Sequence, residues 1–338
     1  MIDLPLFPMV EMSHREVLDG VGQYTACVND PPWSSISGGV PPPARIIPSW
    51  EMDLGHLESL LDGEPDSEVV VGIGGGSALD TAKFIAWKTG KRLVQIPTIT
   101  SVDAGFTDAV GVRVDGNVKY IGDVVPETVV LDVDLVRTAP ARLNRAGIGD
   151  ILSCQTGLFD WRLASDRDEG VPWDDELATL GASLLAELDA NADEIGAVTP
   201  DAIRWMASAY RRIGAGCRLA RHSRFEEGSE HFLGYAYEFH SGDHLVHGEL
   251  IAMCVVAMAT LQGEGADRAS SIIARAGTRA NPLDLGITHD TFTQALGDLL
   301  PYVRRESLDF SIIDVATLDA HTSELLWGAV TRLPREES

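Results

Sequence analysis

Apolar positions in the first part of the chain fall into short, nearly continuous runs separated by amphipathic stretches. Tyr24 to Asn29 and Ala44 to Pro48 read as strands, and Ser49 is then placed to cap a helix whose Leu54, Leu57, Leu60 and Leu61 share one face. The run from Glu68 to Ile73 has the continuity of a strand buried on both faces; Gly74-Gly75-Gly76-Ser77 and a helix from Ala78 follow it. Arg92 to Pro97 and Thr128 to Val133 predict further strands. This rhythm predicts an α/β domain of doubly wound, Rossmann-like form over residues 1–140. From about Arg142 the β-branched runs give way to long helical patterns, which predicts an all-α domain over residues 141–338. Within it, the charged stretch from Asp160 to Asp175, containing Gly170 and Pro172, reads as a surface loop.

Charge narrows the partners. The formal net charge is −25, from 51 acidic and 26 basic residues, so most of the surface repels nucleic acid and anionic membrane. Lysine is confined to Lys83, Lys88, Lys91 and Lys119. Cys27, Cys154, Cys217 and Cys254 are widely spaced and form no CxxC pair, which argues against a thiolate zinc site or a disulfide framework and fits a reducing cytoplasm. The N-terminus has no basic leader pattern, and the longest apolar run, Leu250 to Leu261, is too short to cross a bilayer. The expectation is a cytoplasmic protein that acts on a small molecule.

Two features carry candidate chemistry. The glycine cluster sits between a buried strand and a helix start, where missing Cβ atoms let backbone approach a pyrophosphate and the helix N-terminus offers N–H groups. It is not the GxGxxG fingerprint, and a tight structural turn is the competing explanation. Asp30, at the end of the first clear strand, is either a turn residue, the commoner case, or an acceptor from an adenosine ribose hydroxyl, which would favour NAD over NADP. The second feature is a pair of histidines, His231 and His247, 16 residues apart and each beside an apolar helical pattern. With one carboxylate they make a set suited to Zn2+ or Fe2+ that leaves coordination positions open. Spacing alone equally describes two core histidines, and it does not choose the carboxylate among 51 acidic residues.

Five ordered motifs, Gly74 to Asp80, Pro97 to Ala104, Ala146 to Asp150, Gly228 to His231 and His247 to Glu249, resemble one superfamily. It holds the iron-containing alcohol dehydrogenases, glycerol dehydrogenase, glycerol-1-phosphate dehydrogenase and dehydroquinate synthase, and the resemblance spans roughly residues 66–261. Ser223-Arg224 and the stretch Phe310 to Asp314 lean toward the glycerol-1-phosphate branch, Pro97 to Ala104 toward glycerol dehydrogenase. The resemblance implies a dehydroquinate synthase-like fold, oligomerisation in some members, and Asp150, His231 and His247 as metal ligands. It implies Asp103 as a contact to the substrate hydroxyl. It also implies that Gly74, Gly75, Gly76, Ser77 and Asp80 lie at the pyrophosphate of the cofactor, with Thr98, Ser101 and Thr107 toward its nicotinamide half. The chain departs from the family between Asp30 and Ala44, where a full helix is usual, and at Glu226-Glu227, where phosphate-using relatives carry small residues.

The implied reaction is hydride transfer between a small polyol or alcohol and NAD, or NADP, with the metal polarising a hydroxyl; His244 is a candidate proton relay, against the commoner case of an exposed loop histidine. No lysine lies beyond Lys119 to hold a phosphate. Arg204, Arg211 and Arg218 recur along one helix face, a pattern more typical of a solvated, carboxylate-paired stripe. An unphosphorylated polyol is therefore placed ahead of glycerol 1-phosphate. The alternatives are a cyclase or lyase like dehydroquinate synthase, against which the missing lysines and Tyr235 in place of a histidine both count, and a dinucleotide-binding protein without turnover.

Overall fold

The structure is a computed structural model that describes residues 2–63 and 67–336; residue 66, where the resemblance begins, lies outside the described residues. Two compact units are present, residues 4–144 with 198–219, and residues 1–3, 145–197 and 220–338.

The first unit is built on a six-stranded sheet, all parallel, formed by β1 (Met9–Glu11), β2 (Tyr24–Val28), β3 (Arg45–Pro48), β4 (Val69–Gly74), β5 (Arg92–Pro97) and β8 (Thr128–Leu131), in the order β1-β8-β5-β4-β2-β3. The continuous apolar run of β4 has the expected cause. Val69, Val71 and Ile73 enter a core with Tyr24, Val28, Trp33 and Ile96, while Val70 enters a second core on the opposite face with Phe84, Ile85 and Leu93. A strand with apolar residues on both faces lets helices cover both sides of the sheet. The order of strands reverses between β2 and β4, so the turn after β4 lies at the switch point, at the carboxyl edge where α/β sheets bind ligands.

Several local expectations are corrected. The helix after β3 runs Leu54–Ser59 and is capped not by Ser49 but by Asp53, whose Oδ1 accepts from the backbone N–H of Gly55 and His56. Ser49 is buried, and its carbonyl accepts from the Asn29 side chain. The helix at the glycine turn begins at Gly76 rather than Ala78. The strand at Thr128 ends at Leu131 because Asp132 turns out to cap the next helix through Leu135 N–H. An antiparallel hairpin, β6 (Ala109–Val114) and β7 (Asn117–Asp123), is inserted before β8; its turn is Asp115-Gly116, both with positive φ, as the Asp-Gly pair favours.

The second unit, among the described residues, is helical throughout. Its central element is the helix His247–Gln262, buried at every position from Gly248 to Ala259 and packed against the helices Ile148–Leu152, Ser229–Ser241, Ala266–Ala276 and Ala320–Val330. A helix apolar all round has no other place than the middle of the unit. The expected loop from Asp160 is helical as far as Ser165, in the helix Cys154–Ser165; only residues 166–174 are irregular. The reason is that Asp160 is a buried anchor, not a solvated charge.

One long helix of the second half of the sequence belongs to the α/β unit. Residues 198–219, most of the helix Pro200–Ala220, group there. Its Tyr210 hydroxyl donates to the Thr100 carbonyl at 2.9 Å and its ring packs on Phe106, while a Cβ at Gly214 would overlap the Phe106 carbonyl. The arginine stripe points the same way: Arg204 pairs with Glu11 and Asp201, Arg211 donates to the Phe7 carbonyl, and Arg218 lies 3.5 Å from Asp108.

Candidate metal centre and cofactor turn

Three helices bring the ligand candidates together. Asp150 is in the short helix Ile148–Leu152, His231 is the third residue of Ser229–Ser241, and His247 opens His247–Gln262. The donor atoms of these three residues lie within 4.8 Å of one another. Asp150 Oδ1 is 3.4 Å from His247 Nε2, and the two imidazole centroids are 5.4 Å apart. Glycine makes this possible: a Cβ at Gly149 would sit 2.7 Å from the Gly248 Cα, so the missing side chain at Gly149 lets these helices touch backbone to backbone beside Asp150 and His247.

Negative charge surrounds His231. Its Nδ1 lies 2.8 Å from Oε1 of fully buried Glu230, and Glu226 and Glu227 add to the field. Burial pulls the His231 pKa down, but the Glu230 hydrogen bond and the charges of Glu227, Glu230 and Glu226 outweigh it and push it up to about 10. The carboxylates grouped about His231 favour positive charge at this point. Two imidazoles and one carboxylate, in that field, fit a divalent cation.

The motif Gly228 to His231 is fixed from outside. Asp160 Oδ2 accepts from Ser229 N–H and its Oδ1 from Ile312 N–H, both at 2.8 Å. A Cβ at Gly228 would meet that same Asp160 oxygen at 2.7 Å. The two stretches singled out in the sequence also meet, since the Arg224 guanidinium donates to the Phe310 carbonyl at 2.7 Å. Glu227 accepts from the hydroxyls of Ser223 at 2.8 Å and Tyr235 at 2.7 Å, and the Tyr235 ring lies beside His231. His244 is exposed in the segment between the two histidine helices.

In the α/β unit, Gly74, Gly75 and Gly76 form a cradle that side chains would fill. A Cβ would lie 2.8 Å from Ala78 Cβ at Gly74, 2.9 Å from Ile99 Cδ1 at Gly75 and 3.0 Å from Val102 Cγ1 at Gly76. No side chain caps the helix that starts there. The turn is held by Asn29, which sequence reasoning missed: Gly75 N–H donates to its Oδ1 at 2.9 Å, and its Nδ2 donates to Ser77 Oγ at 3.0 Å and the Ser49 carbonyl at 2.8 Å. The signal was the parallel register, which pairs Val28 with Ile73 and so sets the next residue, Asn29, beside the turn. Asp30 is exposed, and its Oδ1 accepts from Ser34 N–H and Oγ. Asp80 pairs with buried Lys83 at 2.7 Å, and Lys83 also donates to Thr107 Oγ1 at 3.3 Å. Thr98 is buried with its N–H on the Gly74 carbonyl and its Oγ1 unpartnered, a hydroxyl suited to a ligand; Ser101 is buried nearby in sequence, and Asp103 precedes the turn Ala104–Phe106.

Comparison with known proteins places this architecture. The family model described as iron-containing alcohol dehydrogenase matches residues 46–140. A glycerol-1-phosphate dehydrogenase of Pyrobaculum neutrophilum, named as NAD(P)+-using, is 32% identical over 68% of this chain and 68% of its own length. One of the same name from Hyperthermus butylicus is 29% identical over 79% of this chain and 73% of its own length. In structure, a probable glycerol dehydrogenase from Sinorhizobium meliloti superposes with a TM-score of 0.72 at 21% identity, covering 98% of both chains. The chain belongs to the iron-containing alcohol dehydrogenase superfamily, a family of dehydrogenase enzymes, and has its fold.

Proposed function

We propose that the chain is a metal-dependent, NAD-linked dehydrogenase of a small unphosphorylated polyol or alcohol, with NADP as a second cofactor. The observation that carries this is the convergence of Asp150, His231 and His247 within 4.8 Å, in a second unit to the one that bears the glycine cradle. A divalent ion, Zn2+ or Fe2+, held by those three residues would supply Lewis-acid polarisation of a substrate hydroxyl. The cradle Gly74 to Gly76, with Ser77 and the uncapped helix start, suits a pyrophosphate. Thr98, Ser101 and Thr107 line the nicotinamide side in this proposal, with Asp80 acting through Lys83. Asp30 keeps its Oδ2 for a ribose hydroxyl, since Oδ1 takes both contacts from Ser34. Asp103 orients a second substrate hydroxyl, and exposed His244 exchanges the released proton with water.

Neutral substrate is favoured by charge. Glu226, Glu227 and Glu230 surround the ligand His231, and the candidate cations Arg204, Arg211 and Arg218 are engaged in the other unit. Glycerol 1-phosphate is the second reading, supported by the names of the relatives. The test is reduced-nicotinamide absorbance with NAD and NADP across glycerol, glycerol 1-phosphate, propanediol and simple alcohols, after loading with zinc or ferrous iron. Turnover of a neutral polyol, abolished by chelator and reduced at least ~1,000-fold by His247→Ala, is the expected result, a metal contribution of several kcal/mol to the barrier. Turnover of glycerol 1-phosphate alone replaces the substrate; silence with metal bound rejects the dehydrogenase.

A further inference from the structure

Glu230 is an odd residue to bury. It has no solvent exposure, it lies in the first turn of the helix Ser229–Ser241, and no lysine or arginine is among its hydrogen-bond partners, which are the Gly228 N–H and the His231 imidazole. Leaving a lone carboxylate in that position is costly unless its hydrogen bonds serve something. Its Oε1 accepts the Gly228 N–H at 2.7 Å and lies 2.8 Å from His231 Nδ1. Gly228 is itself locked, because a Cβ there would run into Asp160 Oδ2 at 2.7 Å and Glu230 Oε2 at 3.2 Å. The carboxylate therefore has a fixed direction, set by backbone that Asp160 holds through Ser229 N–H.

An imidazole has two nitrogens, and the hydrogen bond made by one decides which faces a metal. We propose that Glu230 is a positioning residue for the metal centre: it accepts the proton of His231 Nδ1, fixes that tautomer, and turns Nε2 toward Asp150 and His247. Glu227 supplies the contrast within the same field. It also raises the negative potential at His231, yet its two oxygens are taken by the Ser223 and Tyr235 hydroxyls and it does not touch the imidazole. Charge is common to both residues; the hydrogen bond to Nδ1 belongs to Glu230.

The inference rests on the metal assignment of the proposed function, and Zn2+ itself is the probe. Zinc affinity of the full-length protein is measured by competition with a chromophoric chelator, for wild type, Glu230→Ala, Glu230→Gln and Glu227→Gln, beside the melting temperature of each apo-protein. Glu230→Ala is expected to weaken binding about 10–100-fold, Glu230→Gln to recover most of that loss because it keeps an acceptor oxygen, and Glu227→Gln to change it less than Glu230→Ala. Affinity within threefold of wild type in a folded Glu230→Ala protein overturns the proposal, as does an equal loss in Glu227→Gln, which would make the effect one of charge. Wild type that takes up no zinc sinks the metal reading and this one with it. Should the alanine variant fail to fold, 15N-histidine spectra of zinc-loaded wild type decide: a proton on His231 Nδ1 supports the assignment, and metal on Nδ1 overturns it.

Discussion

Asp160 shows how far one buried carboxyl departs from its ordinary behaviour. It is enclosed in the helix Cys154–Ser165, accepts two backbone N–H bonds, and is nevertheless pushed up to about 6, first by burial and also by the nearby charge of Glu230. The folded pKa lies above the unfolded one, so between about pH 4 and pH 6 the folded chain keeps a proton that the unfolded chain has released. Stability from this group is therefore fully present below about pH 4 and falls as pH rises toward 6, by up to about 3 kcal/mol for a shift of about two units. Urea unfolding of apo wild type and Asp160→Asn across this range measures the effect. The variant lacks the titration, so the wild-type advantage shrinks with rising pH; parallel curves would show that Asp160 is ionised throughout.

At the scale of elements, the decisive contact is the glycine-to-glycine approach of Ile148–Leu152 and His247–Gln262. Gly149→Ala places a methyl group against Gly248 backbone, which has no rotamer to give. The expected cost is about 1–3 kcal/mol by overpacking, together with weaker zinc binding because Asp150 is moved away from His247. Urea unfolding and zinc titration check both, and a variant with wild-type zinc affinity would show that the helices part without disturbing the ligands. This contact also explains what was legible in the sequence. Apolar periodicity placed β2, β4 and β5 and the helical second half, because burial leaves its pattern in the residues that are buried. The candidate ligand set was not legible from spacing, since Asp150 becomes a neighbour of His247 only through a close approach of two helices distant in sequence; family resemblance proposed it. Asn29, Asp160 and Glu230 were missed for a related reason. Asn29 and Asp160 satisfy backbone of distant segments and Glu230 bonds the adjacent Gly228 N–H and His231 ring, and polar residues in periodic or loop-like surroundings look solvated until their partners are known. The Pro200–Ala220 helix looked like part of the helical domain for the same reason, its Tyr210 and Gly214 contacts to Thr100 and Phe106 being invisible in a linear pattern.

At the scale of the whole molecule, charge is the dominant fact. A net −25 on 338 residues repels itself, and because it is the excess left after every basic residue is set against an acidic one, pairs such as Arg92–Glu127 do not reduce it. Exposed pairs of this kind contribute little individually, so they do not offset the long-range repulsion that opposes compaction. No helix among the described residues is long and apolar enough to cross a membrane. Salt should stabilise the fold by screening that repulsion. The Debye length falls from about 30 Å at 0.01 M to about 10 Å at 0.1 M and about 3 Å at 1 M, so most of the gain should come early. The melting temperature is expected to rise steeply up to a few tenths molar NaCl and then level off, whereas preferential exclusion of salt from the protein surface would give a rise that continues with concentration. A melting temperature insensitive to NaCl in the low range would show that repulsion among the excess acidic groups does not limit the stability of the fold. Repeating the titration with the chloride of a large organic cation separates simple screening, which depends on ionic strength alone, from a specific demand for a small metal ion, and equal curves with both salts are the expected outcome.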